Sequence, residues 1–546
     1  MRRHILSLAF AAVTAALASL PGPGDDAVAS DLGVDSTARR KVSGPVDSAS
    51  ALARLSAEIR GVLGTASEGG SANIGILVRS LRTRATIFSL NPDKPLTPAS
   101  TTKLVTTFTA LSELGPGYRI RTILAAEARP RDGVVRGSLY VKGHGDPFLS
   151  VNDVDELVDQ LLKLGVRHVA GGVVGDGTFF DNITSRYEYS GDADDPEPVA
   201  PIEALTVQGG YFTVIVASTS IVGSPLNVQT YPHSDAFDIV SSATVSSAPS
   251  RAGKRGSRKS SDHNVRDRGP AVRNIAGVKV VVTDGPDGRQ TITVTGTMPP
   301  SRTQSYKHRM KNPPTVIAGM VSERLRRFGV KVDALPTSGG TPPRSRILAE
   351  TGRPLLDIVR LVMKNSNNFL AEHVFKMIGG AAQGNQPTAS RSVAKIHYRM
   401  DVNNIDFARC VINDGSGLSR RNCLSAAALT GILEAAHDDP RLFEAIYETM
   451  AIAGVDGTLR RRMKGTAAES NAHAKTGTLR NVSALTGFVT TRDGEMLCFT
   501  ILMNGSNVGA YRAAQDRIVE RLAAFSYAAP PPPVVQPITP APRKRR

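Results

Sequence analysis

The stretch from Ser100 to Leu114 restricts the fold of this chain more than any other. Its apolar residues recur three and four positions apart, which predicts an α-helix, and the Gly115-Pro116-Gly117 triplet ends it. An apolar face of this width has to be covered by other parts of the chain. We therefore expect a buried, central helix whose first turn contains Ser100 and Lys103.

Ser100-Thr101-Thr102-Lys103 forms an S-x-x-K tetrad, and this spacing places the serine hydroxyl and the lysine amine one turn apart on one helix face. A serine hydroxyl attacks well only when a base takes its proton, which an ammonium group cannot do. Lys103 would therefore have to be kept neutral by burial and by a second cation nearby. Taken alone, the tetrad fits a helix-capping serine with a surface lysine better.

Two further motifs change this interpretation. Ser366-Asn367-Asn368 is an S-x-N triplet at the head of a helical pattern, and Lys475-Thr476-Gly477 is a K-T-G triplet just before a predicted strand. Three short motifs rarely fall in this order, each at the beginning of a suitable element, by accident. Together they indicate that Ser100 is a nucleophile.

Both ends of the folded part contain predicted strands. Predicted strands lie at Ile74–Ser80 and Ala85–Leu90 near the N-terminus, and at Ala484–Thr490 and Leu497–Met503 near the C-terminus. Helical patterns lie at 355–364, 366–378, 426–437, 441–450 and 511–525. A helical cluster beside an antiparallel sheet drawn from both chain ends predicts an α+β fold.

The middle of the chain reads as an inserted, mostly β region. It shows strand-like alternation and many glycines, and helices are expected only near 154–164 and 316–328. A Ser/Arg/Lys-rich excursion at 246–272 has almost nothing to bury. The predicted domains are a signal peptide (1–29), a discontinuous catalytic domain (30–118 and 346–527), the insert (119–345) and a Pro-rich basic tail (528–546).

The three motifs resemble those of the penicillin-binding and serine β-lactamase superfamily. Further phrases narrow the resemblance to the D-Ala-D-Ala carboxypeptidase/endopeptidases of the class C low-molecular-mass penicillin-binding proteins, which also carry a large insert between the first two motifs. These phrases are Gly143-His144-Gly145-Asp146-Pro147, Ala371-Glu372 and Asp414-Gly415-Ser416-Gly417. The resemblance implies the transpeptidase-like α+β fold of that superfamily and a serine hydrolase of peptidoglycan stem peptides, sensitive to penicillin.

The same resemblance implies a role for each motif residue. Ser100 would attack the carbonyl between the two D-alanines, with Lys103 as general base. Ser366 would relay a proton towards the leaving amine, and Asn368 would hydrogen-bond the substrate and Lys103. Lys475 would add positive potential beside Lys103 and bind the terminal carboxylate of the substrate.

The strand that begins with the K-T-G motif would hold the substrate peptide. Thr476, Gly477 and Thr478 would line it, and the backbone N–H groups of Ser100 and Thr478 would form the oxyanion hole. Asp146 would meet the amino group of the stem peptide's diamino acid, although a turn-capping aspartate before proline explains it almost as well.

Two other candidate groups have simpler interpretations. Two glycines and an Asx residue make a tight turn whatever their function, so Ser416 is interpreted as structural or supporting. A Ser-His-Asp interpretation of His144, His373 or His473 is rejected, because the tetrad already supplies a base and no G-x-S-x-G context occurs.

The N-terminus predicts export. Arg2 and Arg3 precede an uncharged apolar run shorter than a membrane span needs, and cleavage is expected after Ala29 or, alternatively, after Ala18. The protein is therefore expected to be secreted across the inner membrane into the periplasm. The expected partners are a peptidoglycan stem peptide ending in D-Ala-D-Ala and β-lactam antibiotics as inhibitors.

The formal net charge of +17 sits largely in the basic excursion and in the tail. Nucleic acid is therefore not expected as a partner, while peripheral contact of these segments with wall polymers or membrane is left open. Cys410 and Cys423 could pair in an oxidising compartment, leaving Cys498 as a buried thiol. No zinc motif occurs, and neither a metal nor a cofactor is expected.

Two rival functions share part of this pattern. A serine β-lactamase would use Ser100 and Lys103 but also needs fast deacylation, for which class A enzymes use an added glutamate that cannot be placed here. A non-catalytic wall-binding protein would instead use the basic segments.

Overall fold

The structure is a computed structural model that describes residues 48–66, 73–192, 199–247, 277–285 and 287–527. The predicted signal peptide, the Pro-rich tail and nearly all of the basic excursion lie outside the described residues. Within those ranges, no helix is long and apolar enough to cross a membrane.

The described residues form eleven α-helices. They are α1 (Ser48–Ala66), α2 (Thr102–Leu114), α3 (Val151–Lys163), α4 (Arg186–Ser190), α5 (Pro313–Arg327), α6 (Leu355–Lys364), α7 (Asn368–Ile378), α8 (Ala389–Val402), α9 (Ala426–Asp438), α10 (Pro440–Thr449) and α11 (Val508–Ala524). Every helix predicted above is present within a few residues.

The strands of the described residues alternate with these helices. They are β1 (Ile74–Ser80), β2 (Thr86–Leu90), β3 (Arg119–Ala126), β4 (Val134–Val135), β5 (Leu139–Gly143), β6 (His168–Val169), β7 (Val173–Asp176), β8 (Tyr211–Ala217), β9 (Asn227–Tyr231), β10 (Phe237–Ser241), β11 (Thr244–Val245), β12 (Val278–Asp284), β13 (Gln290–Met298), β14 (Thr303–Arg309), β15 (Lys331–Val332), β16 (Thr337–Ser338), β17 (Arg346–Pro354), β18 (Ala451–Ile452), β19 (His473–Leu479), β20 (Val482–Thr490) and β21 (Met496–Asn504).

One antiparallel sheet joins the two ends of the chain, which confirms the predicted α+β architecture. Its order is β18-β19-β20-β21-β1-β2, and β1 pairs along its whole length with β21. Both β20 and β21 are buried on both faces, because α1 and α11 cover one side and α2 and α9 the other. Strands covered in this way need an almost continuous apolar sequence, as 496–503 has.

Helix α2 lies at the centre of the helical cluster, as the sequence predicts. Ten consecutive residues, from Thr102 to Leu111, are buried. The helix packs against α6, α7, α8, α9 and α10. This packing excludes water from the first turn of α2 and from its lysine.

The inserted region has its own apolar core, built from α3, α5 and several small sheets. Its five-stranded sheet has the order β16-β7-β5-β3-β17. Arg346–Pro354 therefore pairs with β3 of the insert, although the sequence analysis assigned this segment to the catalytic part. The insert also contains α4, a five-residue helix too short to give a periodic signal in the sequence.

Phe108 provides a test of this packing. Its side chain is 1% exposed in the core around α2. Phe108→Ala should lower the free energy of unfolding by about 3–5 kcal/mol, because the cavity it leaves cannot collapse fully. Urea denaturation followed by circular dichroism measures the change. The control Leu164→Ala, at a side chain that is 53% exposed, should change it by less than about 0.5 kcal/mol, and equal losses for both variants would contradict the assignment.

Candidate active site

Ser100 lies in a tight turn just before α2. A 3-10 turn, Ala99–Thr101, carries it, and Ala99 has a φ of 49°, in the left-handed region. Two glycines make room for this turn: a Cβ on Gly417 would lie 2.0 Å from Ala99 O, and one on Gly477 would lie 2.7 Å from Pro98 O. Backbone from two distant segments therefore fixes the position of the serine.

The Lys103 amine lies in the middle of the site and is fully buried. Its Nζ is 3.0 Å from Ser100 Oγ, and it donates to Asn368 Oδ1 at 2.7 Å and to the backbone carbonyl of Ser416 at 2.5 Å. Carbonyl oxygens can only accept hydrogen bonds. In a neutral amine both N–H groups can thus be held by these two acceptors, and the lone pair is left to take the proton of the Ser100 hydroxyl.

The S-x-N motif forms the second side of the site. The helix predicted to begin at Ser366 begins at Asn368 instead, because the Asn367 side chain caps it by accepting from Leu370 N at 3.0 Å. Ser366 stands before the cap with a φ of 57°. Residues held in this region are costly and concentrate at functional sites, and this one points its hydroxyl at Lys475.

Lys475 lies on β19 and is also fully buried. Its Nζ donates to Ser366 Oγ at 2.9 Å, so the Ser366 proton remains available for another acceptor. Burial, together with the charge of Lys103, holds the pKa of Lys475 well below its ordinary value. Two buried amines that repel each other favour a state in which one of them is neutral, which is the state that a lysine base requires.

The rest of the K-T-G motif forms an accessible strand edge. Strand β18 pairs only with His473 and Ala474, so among the described strands residues 475–479 have a neighbour on the β20 side alone. Thr476 Oγ1 is 2.9 Å from Thr458 Oγ1, Gly477 is buried against the serine turn, and Thr478 is exposed. This edge can pair with an extended peptide.

The sequence analysis missed one direct participant, the carbonyl of Ser416. It belongs to residues 414–419, here called the 414–419 loop, which packs behind α2. Ser416 was interpreted as structural or supporting, and its backbone oxygen is a hydrogen-bond acceptor for Lys103. A backbone carbonyl has no residue-specific signature; the only available signal was the glycine on either side of it.

Asp146 has a local role in the structure. Its side chain is 3% exposed, accepts from Phe148 N at 2.9 Å and lies 3.5 Å from Arg353 Nε. Burial raises the pKa of Asp146 to about 6. These contacts are those of a turn-capping aspartate with an arginine partner, so its contact with a substrate amino group stays a prediction.

The three histidines hydrogen-bond to backbone carbonyls away from Ser100. His373 is fully buried with its ring nitrogens 3.0 Å and 3.2 Å from two backbone carbonyl oxygens, while His144 and His473 each contact one such oxygen. Within the described ranges no group of three metal-ligating side chains occurs.

All three cysteines are free thiols. Val411 pairs with Cys423 in a single antiparallel bridge, which directs the neighbouring Cys410 to the opposite face. Cys410 is accordingly buried while Cys423 is half-buried, and the two are not bonded in the structure. Cys498 is the buried thiol predicted from the sequence, and burial raises its pKa to about 12.

The low pKa of Lys475 predicts a pH-dependent cost in stability. Unfolding returns this pKa to about 10.5, so below pH 10.5 the unfolded chain binds a proton more readily than the folded one. Lys475→Met should unfold at a higher temperature than the wild type at pH 7, and its advantage should shrink by up to about 1.4 kcal/mol per pH unit as the pH approaches 10.5.

Thermal unfolding of both proteins from pH 6 to pH 10.5 measures this effect. Lys163→Met, at an exposed lysine, is the matched control and should change the midpoint little at any pH. A Lys475→Met advantage that does not vary with pH would show that the lysine carries no burial penalty.

Comparisons with known proteins identify the family of this chain. The D-Ala-D-Ala carboxypeptidase 3 (S13) family matches residues 56–285 and 276–525. The D-alanyl-D-alanine carboxypeptidase of Actinomadura sp. (strain R39) is 33% identical over 469 residues, covering 83% of this chain and 81% of the relative. The D-alanyl-D-alanine carboxypeptidase DacB of Haemophilus influenzae is 24% identical over 457 residues, covering 82% and 88%.

A solved structure shows the same fold. Penicillin binding protein 4 (dacB) from Haemophilus influenzae aligns with a TM-score of 0.64 at 22% sequence identity, over 86% of this chain and 99% of that one. With a family match that spans nearly the whole described chain and a relative above 30% identity, this protein belongs to the D-Ala-D-Ala carboxypeptidase 3 (S13) family of serine peptidases.

Proposed function

We propose that this protein is a serine D-Ala-D-Ala carboxypeptidase, with D,D-endopeptidase activity, that acts on peptidoglycan stem peptides through an acyl-enzyme on Ser100. The observation that carries the proposal is the Lys103 amine, 3.0 Å from Ser100 Oγ with two carbonyl acceptors on its other sides. The family membership and the names of the relatives supply the substrate class.

The reaction proceeds in two steps. Ser100 Oγ attacks the carbonyl carbon of the penultimate D-alanine as Lys103 takes its proton, and the bond to the terminal D-alanine nitrogen then breaks. The leaving amine takes up a proton through Ser366, whose hydroxyl accepts from Lys475 and can donate onward. Water then hydrolyses the ester and releases the shortened peptide.

The other motif residues bind the substrate. The peptide lies along the accessible edge of β19, where Thr476, Gly477 and Thr478 line it and Lys475 attracts the terminal carboxylate. Asn368 orients both the peptide and the Lys103 amine. The backbone N–H groups of Ser100 and Thr478 stabilise the oxyanion, a contact worth about 3 kcal/mol per donor in the transition state.

We further propose that β-lactams inhibit the enzyme and that it works in the periplasm. A β-lactam acylates Ser100 with opening of its ring, so no leaving group departs and the ester persists. The charged N-terminus and the uncharged apolar run that follows it in the sequence support export.

Ser100→Ala tests the nucleophile directly. It should abolish release of D-alanine from a D-Ala-D-Ala peptide, by about 10⁴-fold or more, because no other group can form the ester. Mass spectrometry after penicillin treatment should find one adduct, on the peptide containing Ser100, and none in the variant. A wild-type protein that stays unlabelled, or that turns over a chromogenic cephalosporin rapidly, would contradict the proposal, the second outcome pointing to a β-lactamase.

Gly477→Ala tests the approach of β19 to the serine turn. The added methyl would lie 2.7 Å from Pro98 O and 3.1 Å from Thr101 N, forcing the strand away from Ser100. The second-order rate of acylation by fluorescent penicillin should fall by about 10²-fold, the effect of misplacing reacting groups by about 1 Å. Gly61→Ala, where an added methyl meets no atom within 4 Å, is the control and should leave the rate unchanged. A loss below twofold in Gly477→Ala would refute the predicted role of the strand.

A further inference from the structure

A single peptide group connects Lys103 to a buried aspartate. The carbonyl of Ser416 accepts from Lys103 Nζ at 2.5 Å, and the N–H of the same peptide group, that of Gly417, donates to Asp414 Oδ1 at 2.8 Å. The orientation of this peptide group decides where the lysine finds its acceptor. Asp414 therefore holds one end of the group whose other end holds the amine.

The preceding peptide group repeats the arrangement. The carbonyl of Gly415 accepts from Thr106 Oγ1 at 2.8 Å, and the N–H of Ser416 donates to Glu372 Oε1 at 2.8 Å. Glu372 Oε2 also accepts from Gly415 N at 3.1 Å. Two consecutive peptide groups are thus held between a carboxylate at the N–H end and an α2 side chain at the carbonyl end.

The inserted region supplies further partners of the two carboxylates. Tyr189 of α4 donates its hydroxyl to Glu372 Oε2 at 2.9 Å. Arg186, also of α4, donates to Asp414 Oδ2 at 2.9 Å and to Asp192 at 3.0 Å. Helix α4 thus extends from the insert into the wall behind the S-x-x-K motif.

The two carboxylates of this network are fully buried and electrostatically costly. Glu372 and Asp414 are both 0% exposed, and burial together with the Asp414 charge raises the pKa of Glu372 to about 7. Four donors nevertheless converge on Glu372, namely Gly415 N, Ser416 N and the hydroxyls of Tyr189 and Ser416, which suits the ionised acceptor. Buried ionic groups add little net stability compared with apolar residues of the same shape, so their presence favours a role in geometry.

We infer that Glu372 is a positioning residue for catalysis, which acts on Lys103 through the 414–419 loop, and that Tyr189 couples the inserted region to it. The inference rests on the proposed function of Ser100 and Lys103. Glu372 touches no reacting atom through the contacts described. It fixes the loop whose Ser416 carbonyl sets the direction of the Lys103 amine, so its loss should slow proton transfer from Ser100 more than it weakens binding.

The test compares Glu372→Gln and Glu372→Asp with the wild type in reaction with a fluorescent penicillin. Saturation kinetics separate the first-order acylation step from the preceding dissociation constant, and the labelling endpoint counts competent sites. Glu372→Gln should lower the acylation step by about 10–100-fold per competent site, with the dissociation constant within about threefold. Glu372→Asp keeps the charge but shortens the side chain. Its acylation rate should therefore lie between those of the wild type and Glu372→Gln.

Glu113→Gln is the matched control. Glu113 is another buried carboxylate, 3% exposed in its side chain, in the last turn of α2, where it pairs with Lys395 and Arg399. Its loss should lower the unfolding temperature and leave acylation per competent site unchanged. This control separates the effect of removing a buried carboxylate from that of releasing the 414–419 loop.

The coupling to the insert is tested by Tyr189→Phe, which removes one hydroxyl and keeps the ring. It should slow acylation severalfold in the wild type and have almost no further effect in Glu372→Gln, because both changes act on the same anchor. Equal effects of Tyr189→Phe in both backgrounds would overturn the coupling.

The outcomes distinguish this inference from the proposed function. If the wild type is acylated and Glu372→Gln reacts at the same rate per competent site, Glu372 is merely structural and the inference fails while the proposed function stands. A wild type that forms no acyl-enzyme overturns both.

Discussion

The active site depends on keeping two lysine amines out of water and close together. Lys103 and Lys475 are both 0% exposed, and the charge of the first lowers the pKa of the second. Burial disfavours the ammonium form and mutual repulsion disfavours it further, which favours a neutral amine beside Ser100. Hydroxyl and carbonyl oxygens hold the amines by hydrogen bonds.

The scaffold around these amines is arranged by backbone as much as by side chains. Ala99, which precedes Ser100, and Ser366 itself both adopt the left-handed conformation. Gly417 and Gly477 bring two chain segments against the serine turn at distances that no side chain would permit. A strained backbone persists only where the surrounding structure holds it firmly in place. Here the buried helix α2 and the sheet covered on both faces do so.

The sequence predicted those parts of the structure whose signals are carried by side-chain type and spacing. The burial of α2, the sheet formed from both chain ends and the grouping of Ser100, Ser366 and Lys475 all follow from periodicity and motif order. The Ser416 carbonyl could not be predicted, because any residue has one. Helix α4 is too short for a periodic signal, and the Ala371-Glu372 phrase, although it carries part of the resemblance, does not indicate which groups Glu372 holds.

Two further differences between the sequence-based predictions and the structure arise from local hydrogen bonding. The helix start moved from Ser366 to Asn368 because an asparagine side chain competes for the first free N–H groups. Cys410 and Cys423 appeared suitable for pairing by their spacing alone, while the bridge between Val411 and Cys423 places them on opposite faces. In both cases a single local hydrogen-bonding pattern decided what composition left open.

The long sequence separations within the site bear on how the chain folds. Ser100 and Lys103 are three residues apart, but Lys103 meets Asn368 and Ser416 across 265 and 313 positions, and Lys475 meets Ser366 across 109. Contacts this distant are closed late, because loop entropy has to be overcome first. A partially folded chain can therefore bring Ser100 and Lys103 together before the acceptors that orient the Lys103 amine are in place. Hydrolytic competence is in this sense a property of the completed fold, and the appearance of activity during refolding would report the last contacts to form.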